Sequence, residues 1–253
     1  LNEQLKKLNL NIINLGVAGN GPLLEYATFK EYGPYYKYNQ VILLITPDND
    51  FYDLSNEIEN TILSKYLKNE KFNQNLPNES KKRIKQKILN NYFGKKTERF
   101  AYDFFTIYHF NLKEISKSIK NKFNIKSKKK NYYYLKNSEI DNIFFMIIDK
   151  FYSETKINNI KFYIVFNSFS PDILFPNNNE RIKYRKLIDT KVNKIKNYLK
   201  RKEITYFDFT EYLEKNYNNK NINKIFKNIN NRWDHYTEKG YEILAKEIIE
   251  LIN

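Results

Sequence analysis

The feature that most constrains this chain is an alternation of short apolar runs with helical patterns near its start. The first run, "LNIINLG", ends at Gly16 and leads into a glycine turn, "VAGNG" (residues 17–21). Pro22 then opens a helical pattern that Gly33 closes, and "QVILLIT" is a second apolar run. Proline at the first helical position and glycine after the last one are typical helix boundaries. Strand, turn, helix and strand in this order predict a parallel sheet covered by helices, which is an α/β fold.

The second half of the chain continues the same alternation. "IKFYIVFNSF" predicts a third strand that ends at Asn167 and Ser168, and "ITYFDFT" predicts a fourth. A long helix is expected between them over about 179–201, and a terminal amphipathic helix after His235. Ser138 is the expected N-cap of an apolar helix that precedes the third strand.

The region between the two halves differs in composition, and we interpret it as an insertion. Residues 54–136 show helical patterns rich in Lys and Asn, broken at Pro77 and Gly94. We therefore expect a single domain over 1–253 that contains a mostly helical insertion over 54–136. Its charged segments either cover the site or form a solvated surface, and "KSKKK" is expected to be a loop.

Composition excludes several classes of protein and leaves one alternative open. The chain has 44 Lys and Arg against 29 Asp and Glu, a net charge of +15, which admits a non-catalytic basic binding module. The lysines are spread along the whole chain, so we expect no nucleic-acid partner. Without cysteine there are no disulfides or thiolate metal sites. No apolar run reaches the roughly 18–20 residues of a membrane span. Compartment and oligomeric state stay open.

Groups suited to acyl-transfer chemistry follow the predicted strands. Ligands of open parallel sheets bind beyond the carboxyl ends of the strands. There the glycine turn offers backbone N–H donors, Asn49 in "TPDND" offers a side-chain amide, and His235 in "WDHY" offers a base with Asp234 beside it. A tetrahedral oxyanion needs such donors, and a hydroxyl nucleophile needs an imidazole oriented by a carboxylate.

In content and order, three blocks resemble the SGNH (GDSL-type) hydrolase family. They are "NLGVAGNGPLLEYATFKEYG", "VILLITPDND" and "HYTEKGYEILA". The resemblance covers about 60 residues near the two ends of the chain. It implies a three-layer α/β/α, flavodoxin-like parallel sheet and a serine esterase that acts through a Ser-His-Asp mechanism on an O-acyl carbohydrate or lipid ester. An O-acyltransferase of the same fold is the alternative. No metal or organic cofactor is implied.

The resemblance also assigns roles to residues of this chain. Gly19 supplies an oxyanion-hole N–H and Asn49 the side-chain donor, while His235, five residues before Gly240, is the general base. Asp234 is the expected orienting acid, although the family's commoner acid position falls on Arg232 or Trp233. Pro47 stands where the family's second block has its first glycine. We expect His109 to be structural and Trp233 to line the pocket or the core.

The family's nucleophile block is not found in this sequence. In the family, a Gly-Asp-Ser block follows the first, central strand and precedes a helix, and "LNEQLKKLNL" resembles the end of that helix. The nucleophilic serine is therefore expected roughly 10–25 residues before Leu1. The missing strand would lie between those at Leu10 and Val41. Ser55, Ser64 and Ser168 are not expected to be the nucleophile.

Overall fold

A computed structural model describes residues 3, 5, 11–17, 19–82, 133–218, 221–227 and 235–253. The chain forms two compact units, Leu1–Asn73 with Tyr132–Asn253 and Gln74–Asn131. In the second unit the described residues are 74–82, of which 76–82 are helical. Leu54 and Leu135, near the ends of the predicted insertion, belong to the core of the first unit. Most of that insertion lies outside the described residues, so its helical character stays a prediction.

The described residues of the first unit form a three-stranded parallel sheet. Its strands are β1 (Gln40–Ile45), β2 (Lys161–Phe166) and β3 (Thr205–Asp208), in the order β1-β2-β3. In register, Leu43 pairs with Ile164 and Ile164 with Tyr206. Aromatic and β-branched residues dominate β2, as expected for a strand in the middle of a sheet. The prediction of an α/β fold is confirmed, as are the predicted second, third and fourth strands.

Helices connect and cover these strands, and most begin with a residue that favours a helix start. Pro22 and Pro47 occupy first helical positions, and Asn178 accepts a hydrogen bond from the N–H of Arg181. The helices are α1 (Pro22–Tyr32), α2 (Pro47–Glu57), α3 (Leu63–Lys68), α4 (Tyr133–Lys136), α5 (Ser138–Ile157), α6 (Pro171–Leu174), α7 (Asn179–Arg201), α8 (Phe209–Asn216) and α9 (Glu238–Ile252). The N-cap of α5 is Asn137, whose side chain accepts from the N–H of Glu139; the predicted cap, Ser138, is the first helical residue.

The core lies on both faces of β2. Residues 162–166 are all buried, and consecutive side chains of a strand point to opposite faces, so both faces of this strand are covered. Phe151 of α5 stacks on Phe162 with ring centroids 5.7 Å apart. Burial of large apolar side chains on two faces is the main stabilisation available to such a sheet.

The predicted first strand is not formed by the residues that the structure describes. Residues 11–16 are irregular, and Ile13 is 44% exposed; Leu10 lies outside the described residues. A strand needs a neighbour that completes its backbone hydrogen bonds. Among the described residues, no strand pairs with the edge of β1 opposite β2. The prediction of a strand over "LNIINLG" is therefore wrong for residues 11–16.

A search of the described helices for a membrane span, meaning a long and sufficiently apolar one, finds none.

Candidate active site

The glycine turn adopts a backbone conformation that requires glycine at one position. Gly19 has φ +84°, in the left-handed region that residues with a side chain rarely adopt. It is the third residue of a turn closed by the N–H of Asn20, which donates to the carbonyl of Val17 at 3.1 Å. Just upstream, the N–H of Gly16 donates to Oδ1 of Asn14 at 2.9 Å. Gly19 is exposed, so its backbone can approach a ligand.

Asn49 lies in the first turn of α2, directly beyond the carboxyl end of β1. Its backbone N–H donates to the carbonyl of Thr46 at 3.0 Å. Its side-chain Nδ2 donates to Oδ2 of Asp53, one helical turn later, at 2.7 Å. Asp50 closes the start of the helix by accepting from the N–H of Thr46 at 2.7 Å. An amide nitrogen carries two hydrogens, and the contact with Asp53 uses one of them.

The structure brings the glycine turn and α2 together. The N–H of Gly21 donates to Oε1 of Glu57 at 2.6 Å, and the N–H of Leu23 donates to Oε2 at 2.9 Å. A Cβ atom at Gly21 would lie only 2.8 Å from Cβ of Asp53, so the backbone of the turn rests directly on the helix. Asn49, Asp53 and Glu57 are spaced by four residues and form one polar face of α2.

Three acidic side chains cluster where α1 begins, and each has a raised pKa. Burial, with a smaller contribution from the charge of Glu57, raises the pKa of Glu25 to about 8. Burial raises the pKa of Asp53 to about 6, although the amide of Asn49 opposes the shift. Burial also raises the pKa of Glu57 to about 7, against the three backbone N–H donors that stabilise its charge. The ionisation of this cluster therefore extends through neutral pH.

His235 lies in a loop held at both ends by backbone hydrogen bonds. Its carbonyl accepts from the N–H of Lys227 at 3.0 Å, and its side chain is exposed. The next residue, Tyr236, pairs with Phe226 in an isolated antiparallel bridge. Thr237 then caps α9 by accepting from the N–H of Gly240 at 3.1 Å. We call residues 235–237 the histidine loop. Asp234, the predicted orienting acid, lies outside the described residues.

Gly240 allows α9 to pack closely beside the histidine loop. A Cβ atom at this position would lie 2.5 Å from the carbonyl oxygen of Ile225 and 2.9 Å from Cβ of Tyr236. These distances are shorter than real Cβ contacts, and one of them is to backbone. The spacing of five residues between His235 and Gly240 therefore has a physical basis, because the glycine sets the position of the helix that follows the loop.

A hydrogen-bond network ties the histidine loop to the carboxyl ends of β1 and β2. The hydroxyl of Tyr236 donates to Oδ1 of Asn167 at 2.5 Å and accepts from the N–H of Ser168 at 3.0 Å. Nδ2 of Asn167 in turn donates to Oγ1 of Thr46 at 3.3 Å. Thr46 is also the residue that receives the backbone N–H of Asn49. The network therefore connects Tyr236, the residue after His235, with Thr46, which accepts the backbone N–H of Asn49.

The serines that we set aside as nucleophiles each donate to a nearby backbone carbonyl. Oγ of Ser55 donates to Tyr52 at 2.6 Å and Oγ of Ser64 to Thr61 at 3.1 Å. Ser168 is buried, directly beyond β2, and its Oγ donates to the carbonyl of Phe169 at 3.3 Å. Of these three, Ser168 alone is in contact with the network that ends at the histidine loop.

The sequence did not reveal four residues of this site. Asp53 and Glu57 had a usable signal, since they follow Asn49 at the four-residue spacing of one helix face. Tyr236 and Asn167 had no such signal, because their contact joins residues 69 positions apart.

Among the described residues no group of three or more His, Cys, Asp or Glu side chains is arranged to hold a metal ion.

Comparison of the chain with family models, curated proteins and solved structures finds no match.

Proposed function

We propose that this chain is part of a serine esterase of the SGNH type, which hydrolyses an O-acyl ester of a carbohydrate or lipid. The supporting observation is the arrangement at the carboxyl edge of the parallel sheet. The glycine turn with Gly19 packs through Gly21 on Asp53 and Glu57 of α2, the helix whose first turn carries Asn49. The network through Tyr236 attaches the histidine loop to the carboxyl end of β2. This edge is where open α/β sheets bind ligands, which supports the proposed roles of these residues.

In the proposed reaction, His235 acts as general base and then as general acid. Its imidazole takes the proton of a serine hydroxyl as the serine oxygen attacks the ester carbonyl carbon. The N–H of Gly19 and Nδ2 of Asn49 stabilise the tetrahedral oxyanion. When the intermediate collapses, the carbon–oxygen bond to the alcohol breaks and the imidazolium returns the proton to the alcohol. Water, deprotonated by His235, then attacks the acyl carbon, the bond from that carbon to the serine oxygen breaks, and the imidazolium returns its proton to the serine as the acid leaves. Asp234 is proposed to orient the imidazole.

We propose that the nucleophile is a serine in a segment that precedes Leu1. That segment would supply a strand along the edge of β1 with which no described strand pairs, as in a flavodoxin-like sheet. The composition of β1 supports this proposal, since "QVILLI" contains no charged residue or proline. Exposed edge strands usually carry such residues, which prevent pairing with another strand. Ile42, in this strand, is 36% exposed.

The experiment is hydrolysis of p-nitrophenyl acetate by the complete protein and by its His235→Ala variant. Loss of the general base should lower kcat by on the order of 10³-fold or more, because the base and the nucleophile act as a unit. Lys239→Ala is the matched control, since Lys239 is an exposed residue in the first turn of the adjoining helix. Retained activity in His235→Ala would contradict the proposal.

The same preparation separates the two alternatives. Adding a sugar acceptor to the ester assay identifies an O-acyltransferase if acylated sugar forms at the expense of free acid. A complete protein that shows neither reaction, but binds nucleic acid with an affinity that falls steeply with salt, would instead be a basic binding module.

A further inference from the structure

We propose that Asp53 and Glu57 are positioning residues, which use one face of α2 to hold both candidate oxyanion donors in a fixed relation. Asp53 orients the amide of Asn49, and Glu57 fastens the glycine turn that carries Gly19. This inference rests on the proposed function for its catalytic meaning. The two contacts that carry it are features of the described structure itself.

The contact of Asp53 selects one orientation of the Asn49 side chain. Nδ2 of Asn49 donates to Oδ2 of Asp53 at 2.7 Å. A carboxylate accepts hydrogen bonds and does not donate them. Asp53 therefore favours the orientation in which the amide nitrogen of Asn49, and not its oxygen, points toward the carboxylate. The second hydrogen of the same nitrogen then has a fixed direction. An oxyanion donor has to be aimed before the reaction begins, because its contribution depends on preorganisation.

The contact of Glu57 requires two acceptor oxygens. The N–H of Gly21 donates to one oxygen at 2.6 Å, while the N–H of Leu23 and, at 3.4 Å, that of Leu24 donate to the other. These N–H groups belong to the start of α1, where backbone donors have no partner inside the helix. A neutral carboxyl or a glutamine side chain would present a donor in place of one acceptor. We call these three hydrogen bonds from Gly21, Leu23 and Leu24 to Glu57 the clamp. All three can form together only when the Glu57 carboxylate is ionised.

The clamp has a pH dependence that its neighbours determine. The acidic groups facing Glu57 are Glu25 from α1 and Asp53 from α2 itself. Burial, with a smaller contribution from the charge of Asp53, raises the pKa of Glu57 to about 7. Because the carboxylate forms only as pH rises through this range, the glycine turn should be held more firmly above neutral pH than below it.

A single NMR signal can report on the clamp. The chain has six glycines, and Gly21 is the only one that follows an asparagine. Complete protein labelled with [¹³C′]asparagine and [¹⁵N]glycine therefore gives, from this chain, one amide signal in a carbonyl-filtered spectrum, that of Gly21. We expect its proton shift to move as the pH passes about 7, and Glu57→Gln to abolish that movement. Glu59→Gln, an exposed neighbour, is the matched control and should titrate like the unmodified protein.

Ester hydrolysis supplies the second readout. Glu57→Gln and Asp53→Ala are expected to lower kcat by roughly 10–100-fold with KM little changed, because a displaced donor weakens binding of the transition state and not of the substrate. A structural defect alone would lower the amount of folded protein and leave kcat per folded molecule unchanged. Circular dichroism at the assay temperature measures that fraction.

The outcomes separate the inference from the proposed function. A Gly21 signal that does not titrate, or that titrates equally in Glu57→Gln, overturns the clamp whether or not the protein is an esterase. A titrating signal that Glu57→Gln abolishes supports the clamp, even if the unmodified protein hydrolyses no ester. An active esterase whose kcat is unchanged in both variants overturns the positioning role.

Discussion

The hydroxyl of Tyr236 donates a 2.5 Å hydrogen bond to Oδ1 of Asn167, joining the histidine loop to the end of the central strand. The same hydroxyl accepts the N–H of Ser168, so one side chain satisfies two polar groups of the β2 loop. Tyr236 is 5% exposed and packs edge-on against Phe209 with ring centroids 5.5 Å apart. The position of the histidine loop thus depends on Tyr236, the residue that follows His235.

Tyr236→Phe removes this hydroxyl and leaves the ring in place. The N–H of Ser168 loses one of its two acceptors, keeping Oδ1 of Asn167 at 3.1 Å, and that oxygen loses the hydroxyl donor. We therefore expect the free energy of unfolding to fall by about 0.5–1.5 kcal/mol. That corresponds to a drop in Tm of roughly 2–4 °C per kcal/mol for a chain of this size. Tyr52→Phe is the control, because Tyr52 is 46% exposed. Equal melting temperatures for Tyr236→Phe and the unmodified protein would show that the network does not hold the loop.

Gly240→Ala should destabilise the protein, although glycine inside a helix is ordinarily the less stable choice. The added methyl group would meet the carbonyl oxygen of Ile225 at 2.5 Å, so α9 or the neighbouring backbone has to shift. We expect a loss of about 1–3 kcal/mol, as for other overpacked sites. Thermal melting measures it, and Lys239→Ala in the same helical turn is the comparison. A rise in Tm on adding the methyl group would contradict the close packing of α9.

Asn49→Ala should lower kcat for ester hydrolysis by about 10²–10³-fold, the usual effect of removing one oxyanion donor. KM should change little, because the oxyanion forms in the transition state and the tetrahedral intermediate and is absent from the bound substrate. Asn56→Ala is the matched control, since Asn56 lies on the same helix, is exposed and bonds to the carbonyl of Tyr52. If both variants retain full kcat, Asn49 is not a donor in the reaction.

Glu25→Gln should stabilise the protein at alkaline pH. The pKa of Glu25 is raised from 4.5 to about 8, and among the described residues its Oε2 has no hydrogen-bond partner. The unfolded chain therefore loses this proton at lower pH than the folded protein does, and stability falls as pH rises between those two values. Ionisation of Asp53 and Glu57 acts in the same direction.

The gain in Tm of Glu25→Gln should be larger at about pH 9 than at about pH 5. We expect roughly 2–4 °C for each kcal/mol by which ionised Glu25 destabilises the unmodified protein. Glu59→Gln, which replaces an exposed carboxylate, should show no such difference. A Glu25→Gln gain that is the same at both pH values would mean that the folded protein does not resist ionisation of Glu25.

Much of the fold could be predicted because its signals are local. Continuous apolar runs predicted β1 and β2. Apolar residues at helical spacing predicted α7, and its predicted bounds, 179 and 201, are the observed ones. "LNIINLG" carries a similar signal but is irregular over residues 11–16. Apolar composition favours a strand only where a neighbour can pair with it, and composition carries no information on that neighbour.

The sequence singled out Asn49, His235 and Gly240 because chemistry and spacing coincide there, and the catalytic roles of Asn49 and His235 stay predictions. The role of Gly240 is a packing distance, and the structure supplies it. The clamp by Glu57 and the network through Tyr236 were beyond reach, since each joins residues more than 30 positions apart. The orienting role of Asp234 stays a prediction.

We propose that a serine before Leu1 is the nucleophile of a site that includes His235. Treatment of the complete protein with a fluorophosphonate, which labels activated serines, tests this most directly when the adduct is located by peptide mass spectrometry. We predict one labelled serine, upstream of Leu1, and little or no labelling in His235→Ala. The absence of any adduct, or an adduct on Ser168 or another serine of residues 1–253, would contradict it.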